Sequence, residues 1–344
     1  MITGPESRGA DAAAAASTDA EDDGIRHEPR HDGPVVVGVD GSAPSLEALR
    51  WATREADARG VGLVVLHAVW TPDVPTPPGF TISTLRRELH GWGEQLLREA
   101  VDNVASPVRP GLAVRTELSS SEPSRALIDA SKGAALVVVG ARGRGSAFAV
   151  LLGSVSARVS AHAHCPVAVV PERHGGVETP PEEGAERGAD ADTRPAAGGG
   201  RGRVVVGLDG SSGSMVALRF ALEEAARSGR EVVALYALEL PMPIDDTTLD
   251  PEIDAAAQES WKGTARVRIL AWVDEARRAN TENVPVNVEV VTGRAVDALL
   301  SRTDAAVIVV GSRGRSRITG LLLGSVSQSV LQNSRVPVVV VPNP

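Results

Sequence analysis

The sequence predicts two tandem α/β domains, each built on a doubly wound, Rossmann-like sheet of five parallel strands. Three observations predict this. The chain contains one unit twice: VVVGVDGSAPSLEALRWA (35–52) returns as VVVGLDGSSGSMVALRFA (204–221), and 135–171 aligns with 306–342 without a gap. Such internal repetition decides the architecture before any single element does. The β-branched runs are apolar nearly throughout, as strands covered on both faces must be. Helical patterns separate these runs, which calls for right-handed crossovers and a parallel sheet.

In the first copy strands are expected at 35–40, 62–69, 112–117, 135–140 and 167–171. Ser42 is a suitable N-cap for a helix over 44–58. Residues 82–105 carry Leu85, Leu89, Trp92, Leu96 and Leu97 at helical spacing, which makes Trp92 a packing residue. Shorter helices fit 123–131 and 154–164. The second copy places strands near 204–209, 231–238, 286–291, 305–310 and 338–342, with Trp261 again expected to pack on its helix. The domains therefore span 34–171 and 203–344. Residues 1–33 form an acidic, Ala-rich tail and 172–202 a Gly/Pro/Glu/Arg-rich linker; neither holds enough apolar surface to offset its ordering entropy.

Composition excludes several functions. Aromatic residues make up 3% of the chain, too few for a base-stacking surface, and a net charge of −9 opposes nucleic acid or an anionic membrane. Apolar residues never run for the roughly 18 positions a membrane span needs, and the N-terminus has no signal pattern. One cysteine, Cys165, allows no internal disulfide, which suits a reducing compartment; a cytoplasmic protein is expected.

The chemistry gathers at the carboxyl ends of the strands, where open α/β sheets bind ligands. After the fourth strand comes GARGRGSAFAVLLGSVS (140–156), and in the second copy GSRGRSRITGLLLGSVS (311–327). Their shared kernel is Gly-x2-Gly-x9-Gly-Ser: Gly140, Gly143, Gly153 and Ser154, then Gly311, Gly314, Gly324 and Ser325. Glycines allow positive φ and close backbone approach. A helix opening at Gly153 or Gly324 presents amides and a dipole to an anion. Ser154, Ser156, Ser325 and Ser327 could add hydroxyls, and Arg142, Arg144, Arg313 and Arg315 charge. The same residues also suit a plain strand-to-helix turn with Ser154 as its cap. Asp40 in GVDGS and Asp209 in GLDGS lie at the same sheet edge, where a carboxylate either accepts from a ribose or base or caps the following turn. Neither a Walker A loop nor the dinucleotide fingerprint is present.

VVVGVDGS, VVVGARGRGSAFAVLLGSVS and HCPVAVVP together resemble the universal stress protein family in its tandem, ATP-binding form. The resemblance covers about 35–171 and 204–342. It implies strand order 3-2-1-4-5 in each domain and ATP held between strands one and four, with Mg as a possible companion. Carried over by position, Gly38 and Ala68 line the adenine side and Asp40 contacts the adenosine. Gly140, Ala141, Arg142, Gly143, Arg144, Gly153, Ser154 and Val155 would wrap ribose and phosphates. Gly207, Asp209, Ala237, Gly311, Ser312, Arg313, Gly314, Arg315, Gly324, Ser325 and Val326 do the same in the second copy. The family pairs its last strands across a two-fold axis, so PVAVVP and PVVVVP are expected to pair with each other within the chain or in a homodimer.

Three functions follow: an ATP-dependent regulator of stress physiology working through an unidentified protein partner, a slow ATP hydrolase, or a nucleotide-free scaffold. No general base or Walker-type lysine is readable, so no catalytic residue is assigned. HAHC (162–165) has the look of a metal cluster, but the second copy has Asn333, Arg335 and Val336 at the positions of His162, His164 and Cys165. No metal site is assigned, and Cys165 shows no base partner in the sequence. The Pro-rich 71–80 is expected to be a loop over the site.

Overall fold

The computed structural model describes residues 32–70, 82–104, 111–142, 152–172, 202–239, 251–314 and 323–343. The chain divides into two units, Met1–Arg30 and His31–Pro344, and every described residue lies in the second. Residues 173–201 of the expected linker and the Pro-rich loop, like Gly143, Arg144 and Arg315, fall outside the described residues, as does the tail up to residue 31.

The first repeat runs β1 (Val35–Gly38), α1 (Ala43–Arg59), β2 (Leu63–Ala68), α2 (Ile82–Val104), β3 (Val114–Ser119), α3 (Pro123–Ser131), β4 (Leu136–Gly140), α4 (Ser154–His162) and β5 (Val167–Val170). The second runs β6 (Arg203–Leu208), α5 (Ser212–Ser228), β7 (Val232–Leu238), α6 (Pro251–Ala276), β8 (Val286–Thr292), α7 (Ala295–Leu300), β9 (Ala305–Gly311), α8 (Ser325–Asn333) and β10 (Val338–Val341). Every expected strand forms within a residue or two of its expected bounds.

Each repeat has the order 3-2-1-4-5, but the two are not separate sheets. They fuse into one ten-stranded sheet, β3-β2-β1-β4-β5-β10-β9-β6-β7-β8. Within a repeat all pairs are parallel; at the seam β5 and β10 run antiparallel, Val338 opposite Val169 and Val340 opposite Val167. The apolar last strands thus cover each other's edges, which would otherwise be templates for pairing.

Alternate residues of each strand enter two cores, which is why the strands read as unbroken apolar runs. Val35, Val37, Leu63 and Val65 face the α1 and α2 side with Leu49, Ala52 and Leu97. Val36, Val64 and Leu66 face the other side with Leu127 and Val159. Burying each such Leu or Val contributes about 1.5–3 kcal/mol relative to exposure. α1 starts where expected: the Ser42 side chain accepts from Ser45 N, and Gly60 ends the helix at φ 67°.

Trp92 and Trp261 do not pack as expected; they are 66% and 49% exposed. The buried stripe of α2 runs through Gly93, Leu97 and Ala100, one residue away from Trp92. Gly93 is needed there, because a Cβ would come within 2.8 Å of Leu118 and Val69.

Candidate functional site

The site is built from the carboxyl ends of β1 and β4 and the start of α4, and again from β6, β9 and α8. β1 ends in Gly38, Val39 and Asp40. Gly38 abuts Leu127, where an added Cβ would lie 2.9 Å from Cδ1; Gly207 meets Leu299 in the same way at 3.2 Å. After it, Asp40 Oδ1 accepts from the Ser42 amide at 3.0 Å and the Ser42 hydroxyl at 2.6 Å. Asp209 Oδ1 does the same with Ser211 at 2.9 and 2.6 Å. The turn-capping reading of both aspartates is therefore realised through Oδ1. Asp-Gly is a turn signal, and Gly41 and Gly210 both adopt φ 80°.

Among the described residues the kernel glycines work by close approach, not by positive φ. An added Cβ on Gly140 would lie 2.8 Å from the Pro44 backbone, and one on Gly311 2.8 Å from the Gly213 backbone. These glycines let the first turn of α1 or α5 rest on the end of the fourth strand. Gly314 is different: its Cβ would lie 2.5 Å from Asp209 Oδ2. Gly324 is next in the arc, with a Cβ 3.6 Å from the Gly314 amide nitrogen. The fold therefore gathers Asp209, Gly314 and Gly324, which are far apart in the chain, into one contiguous patch.

α8 opens at this patch, and α4 opens at the matching place in the first repeat. Their N-caps are Gly153 and Gly324, and neither helix has a side-chain cap. The alternative reading of Ser154 as a plain cap does not hold: Ser154 and Ser325 are the first helical residues, followed by Val155 and Val326. Backbone bonds fix the entry. Ala141 N donates to Val170 O at 2.8 Å while Ala141 O accepts from Gly153 N at 2.9 Å; Ser312 repeats both with Val341 and Gly324 at 2.7 and 2.8 Å. Arg142 and Arg313 follow directly, at the rim of the patch. The expectation that Ser156 and Ser327 offer their hydroxyls to a ligand is also corrected. Both are buried and donate at 2.6 Å to Gly140 O and Gly311 O, so each hydroxyl satisfies a strand-end carbonyl.

Ala68 and Ala237 lie near the ends of β2 and β7, half-buried. Beside Ala68 is a cleft of about 420 Å³ walled by His67, Val69, Trp70, Leu89, Trp92 and Leu96. In the second repeat Tyr236 and Trp272 stand there, ring centroids 6.2 Å apart at 52°.

The remaining candidates resolve plainly. Burial pushes the Cys165 thiol up to about 12, so it is unreactive at neutral pH. His162 Nδ1 engages Arg158 O at 2.8 Å. Among the described residues no three His, Cys, Asp or Glu groups converge as metal ligands.

The arrangement suits a phosphate-bearing ligand: uncapped helix amides, backbone cleared of side chains, and a carboxylate one strand away. Comparison with known proteins agrees on the lineage. The model of the universal stress protein family matches residues 33–171 and 200–342. A universal stress protein of Mycobacterium bovis is 35% identical over 317 residues, covering 91% of this chain and 98% of its own. One from Mycobacterium tuberculosis is 33% identical over 316 residues, covering 89% and 95%. A solved universal stress protein structure from Archaeoglobus fulgidus shares the fold with TM-score 0.57 at 21% identity, covering 91% of this chain and 97% of that one. Two matched repeats spanning most of the chain, and relatives of full length, place this chain in the universal stress protein family.

Proposed function

We propose that the chain is an ATP-binding regulator with one nucleotide site per repeat. The observation that carries this reading is the patch of Asp209, Gly314 and the uncapped α8 N-terminus. A phosphate there replaces the missing side-chain cap, and each such helix–anion contact is worth about 0.3–1 kcal/mol, up to about 2 when partly buried. Asp209 and Asp40 face the ribose side; Gly314, Gly324, Ser325 and Val326 receive phosphates through their backbone, as do Gly153, Ser154 and Val155 in the first repeat. Any Mg ion would rest chiefly on the phosphates, since Oδ1 of each aspartate is engaged by its serine. Occupancy would be read by a protein partner in the cytoplasm. Among the described residues no helix is long and apolar enough to cross a membrane.

Gly314→Val is the sharpest test. Its Cβ falls on Asp209 Oδ2, the end of a flexible side chain, so the fold survives while Asp209 is displaced and the backbone is screened from phosphate. Calorimetric titration of the full chain with ATP should find two sites, and Gly314→Val should remove one at unchanged thermal stability. Mass spectrometry of nucleotide extracted from the purified protein gives an independent reading. Absence of retained nucleotide together with no ATP heat would sink the proposal.

A further inference from the structure

α1 and α5 each begin at a candidate site and end at the seam between the repeats, where charged groups are buried together. Glu55 and Arg59 come from α1; Glu224 and Arg227 come from α5. Arg59 reaches both carboxylates, with Nη2 2.9 Å from Glu224 Oε2 and Nε 3.4 Å from Glu55 Oε2. The Arg59 and Glu224 side chains are 10% and 4% exposed. Arg227 Nη2 also holds Glu224, at 3.2 Å, and its Nη1 reaches Glu223 at 3.7 Å. Arg59 further lies over the Phe220 ring, 5.4 Å from its centroid. Ala168, Val170, Val339 and Val341 of the two seam strands belong to the core on the α1 and α5 side of the sheet, and none is titratable.

The two carboxylates are unequally served. Glu224 has two guanidinium groups in close contact. Glu55 has one, at longer range, and its buried Oε2 makes no hydrogen bond. An ionised carboxylate so placed is costly, and a carboxyl next to a carboxylate is the usual relief. We propose that Glu55 and Glu224 form a proton-binding site at the seam, and that loss of the proton weakens the packing of α1 on α5. The proton rests on Glu55, beside the Glu224 carboxylate that Arg59 and Arg227 hold.

Burial, and then the charge of Glu224, raise the Glu55 carboxyl from 4.5 to about 7. A carboxyl whose folded value lies above its unfolded one stabilises fully below the unfolded value, and the effect is lost as pH rises through the folded value. The window is therefore 4.5 to about 7, and the seam is tighter on its acid side. Between pH 6 and 8 the folding constant should drop about tenfold from this group.

The test is a carbon-13 titration of glutamate side chains in the full-length protein, with the thermal midpoint followed over the same range. One glutamate carboxyl should titrate near neutrality and vanish in Glu55→Gln. The wild-type midpoint should fall by about 2–4 °C from pH 6 to 8, and Glu55→Gln, which mimics the protonated form, should lose that fall. Glu224→Gln should move the Glu55 titration to lower pH by removing a neighbouring charge. If all glutamate carboxyls of the wild type titrate below about 5.5, within the ordinary range, the proposal is overturned even should a variant fail to fold. An unchanged pH slope in a folded Glu55→Gln variant overturns it equally.

Discussion

The two repeats share one floor and differ in one wall. At the floor, Gly140 and Gly311 touch helix backbone at the same 2.8 Å, Ser156 and Ser327 donate at the same 2.6 Å, and both aspartates cap the same turn. At the wall, the positive-φ glycine meets Leu96 in the first repeat and Trp272 in the second. His67, bonded to Val39 O at 2.7 Å, holds the strand position that Tyr236 holds. In the first repeat this wall borders a cleft of about 420 Å³; in the second it carries a ring pair. Backbone packing tolerates no variation where helix and strand meet, whereas a wall of side chains can be refilled. The lesson is that the two repeats share one joint between strand and helix and differ in the side chains that border it.

The shared floor should break most severely. Gly140→Val and Gly311→Val each drive a Cβ into backbone that cannot swing aside. A loss of about 3 kcal/mol is expected, at the upper end of overpacking costs, read from urea unfolding midpoints. Matching losses in the two variants would establish that the floors are equivalent. A loss in one repeat only would break the comparison.

Much of this floor was legible in the sequence, though its purpose was not. Strand and helix bounds followed from two-sided burial, since VVVG and LVVVG have no polar face to expose, and from Ser42 as cap. The fusion of ten strands showed only as a need: two apolar last strands wanted partners. Gly140 looked like a φ-permissive turn, because its neighbour, the Pro44 backbone, is distant in the chain and unseen without the fold. Ser156 looked like a ligand donor because the carbonyl it satisfies belongs to another element. Glu55 and Glu224 carry no signal in the sequence, because Arg59 and Glu224 meet only when the two repeats pack. Trp92 shares the helical spacing of the leucines but stands one residue outside the buried stripe, which passes through Gly93.

The wall should yield more gently and unequally. Trp272→Leu gives the second repeat the side chain of the first and dissolves the contact with Tyr236. A cost of about 1–2 kcal/mol is expected, part burial and part ring contact. Leu96→Trp, the reverse exchange, projects its ring into an open cleft and should change stability by less than about 1 kcal/mol. If both exchanges cost the same, the cleft is not the open wall described.

The smallest effect returns to the floor. Ser156→Ala and Ser327→Ala each remove one buried hydroxyl donor and leave a strand-end carbonyl without its partner. Such a loss costs about 1 kcal/mol, more when the orphaned carbonyl stays dry. Because both hydroxyls are spent on Gly140 O and Gly311 O, the proposed nucleotide affinity of each repeat should stay within about twofold, less than 0.5 kcal/mol. Unfolding midpoints and ATP titration of both variants separate the two readings of these serines. Unchanged stability with lost affinity would return them to the ligand. Lowered stability with intact affinity assigns them to the joint between the fourth strand and the last helix of each repeat.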